Sequence, residues 1–218
     1  RMGRGMATAA NENWPFSRAD MARYIRERDW SETSLGPAGH WPALLRSTVE
    51  MLLSHGFPMI ILWGRDLLQI YNDGYADLMV DKHPSGLGIS NQICWPEVWH
   101  INEPIYGRVF AGETVTIENG LYPLVRHGVR QNIWLSLTYS PIIEADGSVA
   151  GVLVTIVDTT RRMLAEAALE ERGKQLNLVV AELQHRVRNI LTVVRSIFSR
   201  SVETGTDFEE IADHFRGR

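Results

Sequence analysis

At 218 residues, 44% of them hydrophobic, the chain can bury an ordinary core in one or two domains. Its formal net charge of −4 comes from interspersed acids and bases, so it offers no broad electrostatic footprint for nucleic acid or an anionic membrane. The single cysteine, Cys94, excludes an intrachain disulfide, and no apolar run is long enough to span a bilayer or to serve as a signal peptide. These features lead us to expect a cytoplasmic protein with neither nucleic acid nor a membrane among its partners.

In chain order, residues 1–17 carry no periodicity and are expected to be disordered or extraneous to the fold, with Met6 as the native start. "RADMARYIRERDW" (18–30) can form a short helix with a partial stripe at Met21, Tyr24, Ile25 and Trp30. After the turn-rich "SETSLGPAGHWP", Pro42 suits the first turn of a second helix running to about Ser54, with Leu44, Leu45, Thr48, Val49, Leu52 and Leu53 buried. Residues 18–54 are thus read as N-terminal cap helices.

From Phe57 the pattern changes to short apolar runs. "PMIILW" and "LLQIY" are strand candidates joined by a turn at residues 64–66, and "NDGYADLM" is a short helix entered at an Asn or Asp cap. A helical and loop region follows over 83–112. Then come "ETVTIEN", "QNIWLSLTYSPII" and "SVAGVLVTIV", the last two joined by "EADG", where Asp146-Gly147 suits a tight hairpin with positive φ angles. This gives an α+β chain of five strands with helices inserted after the second. On the longest strand Ile133, Leu135, Leu137 and Tyr139 share one face and Trp134, Ser136, Thr138 and Ser140 the other, which predicts an antiparallel sheet with one core face and one mixed face.

The segments "SLGPAGHWP…LLSHGFPMIILWG", "LLQIYNDGYADLM" and "GSVAGVLVTIVDTTRR" resemble PAS sensor domains, which places that domain at 55–160. Asp158, Thr159 and Thr160 are similar to the Asp-Ile-Thr type motif with which PAS domains hand over to an output helix. The resemblance implies a signal relay there and names no ligand. Cys94, in "NQICWPEVW", does not match the cysteine context of flavin-adduct photosensors and is read as a buried thiol. His55, His83, His100 and His127 stand singly, without metal-ligand spacing. Trp95, Trp99, Trp134, Tyr106 and Tyr139 are core aromatics that can also line a ligand cavity.

Helix is allowed from Arg161 to Ser201, with a weak point at Gly173. Leu176, Val180, Leu183, Val187, Ile190, Val194 and Ile197 alternate spacings of four and three, the a/d pattern of a helix packed along a partner, and Leu176, Val180, Leu183 and Val187 are its expected homodimer seam. With Val180 at a and Leu183 at d, His185 falls at f, pointing away from the seam. An f-position histidine is most often just a solvated residue, so its neighbours have to decide its role.

Those neighbours, "ELQHRVRNIL", resemble the phospho-acceptor box of sensor histidine kinases of the HWE type. The resemblance implies that His185 is the acceptor, Arg186 and Arg188 its flanking basic residues, and Asn189 an amide one turn later. A neutral imidazole keeps a lone pair on one ring nitrogen for attack on a γ-phosphate. The commoner box has an acidic residue directly after the histidine. Here that position is Arg186, so any base comes from elsewhere.

"VETGTDFEEIADHFRGR" reads as the connector and first turns of a second helix, capped near Asp207. Residues 161–218 are therefore expected to be a signalling helix and part of a dimerisation and phosphotransfer domain. The sequence contains no Gly-rich ATP lid, no Asn-bearing nucleotide helix and no Trp-x-Glu element. The implied protein is the N-terminal part of a longer kinase whose own ATP-binding domain and response regulator are partners. ATP serves the full-length kinase and is not bound by this chain. Two alternatives stay open: a non-enzymatic PAS dimerisation or ligand-binding module, and a histidine phosphotransfer protein.

Overall fold

The computed structural model describes residues 13–203, which form two units meeting at residues 163 and 164. The expected cap near Asp207 and the start at Met6 lie outside the described residues.

In the first unit, helices α1 (Asp20–Glu27) and α2 (Ala43–Leu53) precede a five-stranded antiparallel sheet. The strands are β1 (Met59–Trp63), β2 (Leu68–Tyr71), β3 (Val115–Arg126), β4 (Val129–Ile143) and β5 (Val149–Asp158), in the order β2-β1-β5-β4-β3. Between β2 and β3 lie α3 (Asp73–Met79), α4 (Asn91–Cys94) and α5 (Trp99–Phe110), with single 3₁₀ turns at Val80–Lys82 and Pro96–Val98. Ile133, Leu135, Leu137 and Tyr139 are buried on the face toward this helical insert, while their outward neighbours on β4 are half-buried. Period-2 alternation on β4 thus marks one core face. β1 is buried on both faces because α2 packs behind it with Leu45, Val49 and Leu52.

Asn72 holds the front of the domain together. It caps α3 by accepting from the Tyr75 N–H (3.1 Å), and the same Oδ1 accepts from the Met59 N–H of β1 (2.9 Å). Its Nδ2 faces the carbonyls of Phe57 (2.8 Å), His55 (3.1 Å) and Leu52 (3.3 Å). α1 has no capping side chain of its own. The Asp73 carboxylate accepts from the Met21 N–H (2.7 Å) and the Asp20 N–H (3.2 Å), so a carboxylate 52 residues away terminates the helix.

Three local expectations need correction. Residues 13–17 are not disordered: Trp14 is buried, packs edge-on against Trp41 at 5.4 Å and lies beneath the Arg46 guanidinium, because α2 and the Trp41 segment leave an aromatic slot that one more ring fills. The strand expected to end at Asn119 continues to Arg126. A bulge between Ile117 and Gly120 carries it past the glycine, and its place at the sheet edge tolerates Pro123. The tight hairpin falls at His127-Gly128 (φ 51° and 70°), where both residues take the left-handed conformation of a two-residue turn. At Asp146-Gly147 only Gly147 has positive φ (87°), and the Asp146 carboxylate instead accepts from the Ser148 N–H.

The second unit is described only through the long helix α6 (Thr160–Glu203), 44 residues and about 66 Å long at 1.5 Å per residue. It runs through Gly173 without a break, and a Cβ added there would meet nothing within 4 Å. Gly173→Ala is therefore expected to stabilise α6 by about 1 kcal/mol, read as a higher helix-melting midpoint by circular dichroism. An unchanged or lower midpoint would count against a free, exposed helical position.

Candidate functional site

A cavity of about 50 Å³ lies between the core face of the sheet and the inserted helices. Its walls are aliphatic, with Tyr75, Trp95, Tyr106, Tyr122 and Tyr139 among them. Of the five aromatic residues suggested by the sequence, Trp95, Tyr106 and Tyr139 line it. Trp99 packs on Tyr106 with ring centroids 5.9 Å apart, and Trp134 lies on the opposite face of the sheet. Tyr75 and Tyr122 were missed. Tyr122 lies beyond the Asn119-Gly120 stretch that reads as a strand end.

The polar groups of the cavity form two chains. Tyr106 donates to Asn91 Oδ1 (2.8 Å), Asn91 Nδ2 to Gln69 Oε1 (2.9 Å), and Gln69 Nε2 to the Gly86 carbonyl (2.9 Å). Tyr139 donates to Asn102 Oδ1 (3.1 Å) and lies 3.4 Å from the Tyr122 hydroxyl. Burial pushes the Tyr106 and Tyr139 hydroxyls far above the ordinary phenol range, so both act as neutral donors. The buried Trp95 indole N–H lies near the Tyr75 hydroxyl without meeting it in hydrogen-bond geometry. On its other side Lys82 Nζ sits 3.8 Å above the Trp95 ring and bridges to Glu97 at 2.8 Å. Burial raises the thiol pKa of Cys94, in keeping with a structural role. His55 Nδ1 accepts from the Phe57 N–H, His83 Nδ1 meets the Tyr71 hydroxyl at 3.2 Å, and His127 sits in its turn. Among the described residues no group of three His, Cys, Asp or Glu side chains is placed to hold a metal ion.

The sheet is fastened to α6 by the residues that the sequence marks. Asp158 Oδ1 accepts from the Thr160 N–H (2.9 Å), the Thr159 N–H and hydroxyl both reach the Trp134 carbonyl (2.9 and 3.2 Å), and the Thr160 hydroxyl accepts from the Trp134 N–H (3.0 Å). One backbone position of β4 therefore holds the entry to the helix. Arg162 adds a contact that sequence reasoning did not find, donating to Asn119 Oδ1 at 2.8 Å.

On α6 itself, His185 is exposed, and Asn189 Nδ2 lies 3.4 Å from His185 Nδ1. Arg186 is paired with Glu182 one turn earlier, and Arg188 is exposed beside the histidine. The expected seam residues Leu176, Val180, Leu183 and Val187 are between 42% and 64% exposed in the single chain. They form an apolar strip that no other described residue covers.

A five-stranded antiparallel sheet of PAS-like order, followed by a long helix with an exposed histidine, is what the described residues present. Within the helix and the residues after it, residues 182–218 match the HWE histidine kinase family model. No curated protein matches the chain. Among solved structures, the PAS domain of BvgS from Bordetella pertussis is 18% identical, covering 62% of this chain and 99% of that one, with a TM-score of 0.45. A sensory box sensor histidine kinase from Vibrio cholerae is 17% identical, covering 53% of this chain and 90% of that one, with a TM-score of 0.38. An RNA-binding Light-Oxygen-Voltage receptor is 18% identical over 63% of this chain, with a TM-score of 0.46, and the chain spans 40% of its length. Among the described residues no helix is long and apolar enough to cross a membrane.

Proposed function

We propose that the chain is the sensor part of a two-component histidine kinase of the cytoplasm, in which the PAS domain controls ATP-dependent phosphorylation of His185 and onward transfer to an aspartate of a response regulator. The observation that carries this reading is an exposed histidine at f, opposite an unbroken a/d strip, inside the segment that matches the HWE histidine kinase family.

The chemistry follows from the imidazole. A ring nitrogen attacks the γ-phosphorus of ATP, the N–P bond forms as the bond to the ADP oxygen breaks, and the proton on the other nitrogen is shared with a partner or lost to a base. The Asn189 amide, one turn from His185, can turn its oxygen toward Nδ1–H and so hold the tautomer that leaves Nε2 with a free lone pair. Arg188 contributes positive charge beside the incoming phosphoryl group, whereas the charge of Arg186 is partly neutralised by Glu182. ATP itself binds to a catalytic domain not contained in these residues. Transfer to the regulator then returns the imidazole and leaves an aspartyl phosphate.

Dimerisation belongs to the same reading. Burying one Leu or Val is worth about 1.5–3 kcal/mol, so a strip of Leu176, Val180, Leu183 and Val187 supports a parallel homodimer. Leu183→Asp is expected to turn a dimer into a monomer in sedimentation at the same protein concentration. A parent chain that is already monomeric, or a variant that stays dimeric, would remove the seam from the account.

A further inference from the structure

The contact between Arg162 and Asn119 joins the first turn of α6 to the one irregular place in β3. Between Ile117 and Gly120 the ladder register shifts, and Asn119 is held at a positive φ of 50° while its N–H donates to Ser136 Oγ (3.1 Å). Residues in a bulge lack regular ladder partners, so their position is set by what packs on them. What packs here comes from the cavity. A Cβ on Gly120 would stand 3.0 Å from Tyr122 Cε2 and 2.8 Å from Ile117 Cγ2, so the Tyr122 ring lies against a glycine that has room for nothing larger than hydrogen. Tyr122 lines the cavity, and its hydroxyl meets that of Tyr139, which is bonded to Asn102 of α5.

We propose that the Asn119-Gly120 bulge is a lever between the cavity and the output helix: displacement of the Tyr122 ring moves the bulge, and the bulge loosens or tightens the Arg162 hold on the first turn of α6. This rests on the reading of α6 as the output helix. The other anchor is the backbone of Trp134, which pairs with Leu121 where the β3–β4 ladder resumes after the bulge. The lever acts on the side of the first turn that Arg162 holds.

The test uses the whole 218-residue chain and reads amide hydrogen exchange by NMR at Met163, whose N–H donates to the Thr159 carbonyl (3.0 Å). Asn119→Gly keeps the positive φ at no steric cost and removes the one acceptor that Asn119 offers Arg162. It is expected to speed Met163 exchange about threefold, the effect of losing one exposed charged hydrogen bond. Gly120→Ala pushes on the Tyr122 ring and is expected to change the same rate by a similar factor, and the double variant by no more than either alone. Additive effects, or a Gly120→Ala chain that folds and leaves Met163 unchanged, would overturn the lever.

Should Gly120→Ala fail to fold, Tyr139→Phe perturbs the same ring pair gently. It is expected to change Met163 exchange in the parent and to leave it unaltered in the Asn119→Gly background. Equal changes in both backgrounds, or none in either, also overturn the proposal. Phosphorylation of His185 by an added ATP-binding domain, measured on the same proteins, separates the two failures. Normal labelling with uncoupled exchange removes the lever alone, and absent labelling with coupled exchange removes the kinase reading alone.

Discussion

Asn72→Ala is expected to destabilise the first unit by about 3–5 kcal/mol, a large share of the roughly 5–15 kcal/mol that holds a typical domain folded. The substitution removes an N-cap, worth about 0.5–2 kcal/mol, from α3. It also leaves the Met59 N–H and the carbonyls facing Nδ2 without their partner, at about 1–3 kcal/mol for each buried group that finds no replacement. These groups belong to the end of α2, the connection after it, β1 and α3, so loss of one side chain is felt by four separate pieces of the chain. Asn72→Asp is expected to cost a comparable amount. It keeps the acceptor for Met59 and Tyr75 but turns a second negative oxygen toward three carbonyls. Urea denaturation followed by tryptophan fluorescence measures both, and a loss under about 1 kcal/mol for Asn72→Ala would show that the site is not the junction described above.

Local signals made much of this architecture legible, and the α3 cap was visible as an Asn or Asp, of which Asn72 is the one that serves. Alternation on β4 located the core face because that strand is buried on one side only, and the a/d pattern on α6 marked an apolar stripe that stands exposed among the described residues. The cap carried by Asn72 is a local bond, whereas its reach to β1 and α2 is not. Long-range hydrogen bonds leave little trace in sequence, which is also why Asp73 gave no sign of capping α1 and Arg162 none of reaching Asn119. The second half of β3 was hidden because Gly120 and Pro123 signal a break. In the fold one sits in a bulge and the other on an edge strand, where both are tolerated.

The candidate sites divide along the same line. The box around His185 could be read because its residues lie within one stretch of helix, and the helix places them one turn apart as the spacing requires. The cavity was only half legible. Its lining is gathered from β1, α3, α4 and the turn after it, α5 and the three long strands, and Tyr122 reaches it only because β3 continues past its bulge. Trp134, grouped with the cavity residues by type, faces the other way by strand parity. Its backbone, rather than its ring, proves to matter for the handover to α6.

His185→Gln tests the central claim most directly. The variant changes an exposed f position to a good helix former, so helix content and association state are expected to match the parent, and any difference in labelling belongs to the imidazole. The measurement is phosphoryl incorporation from ATP into the 218-residue chain, alone and with a separately supplied ATP-binding domain of an HWE histidine kinase. Positioning of the γ-phosphate accounts for most of the catalysis in phosphoryl transfer, and this sequence carries no recognisable nucleotide cradle, so the chain alone is expected to stay unlabelled. With the added domain the parent is expected to acquire a label that is lost in acid and stable in base, and His185→Gln to acquire none. Equal labelling of the variant, or labelling of the chain by ATP alone, would contradict the account.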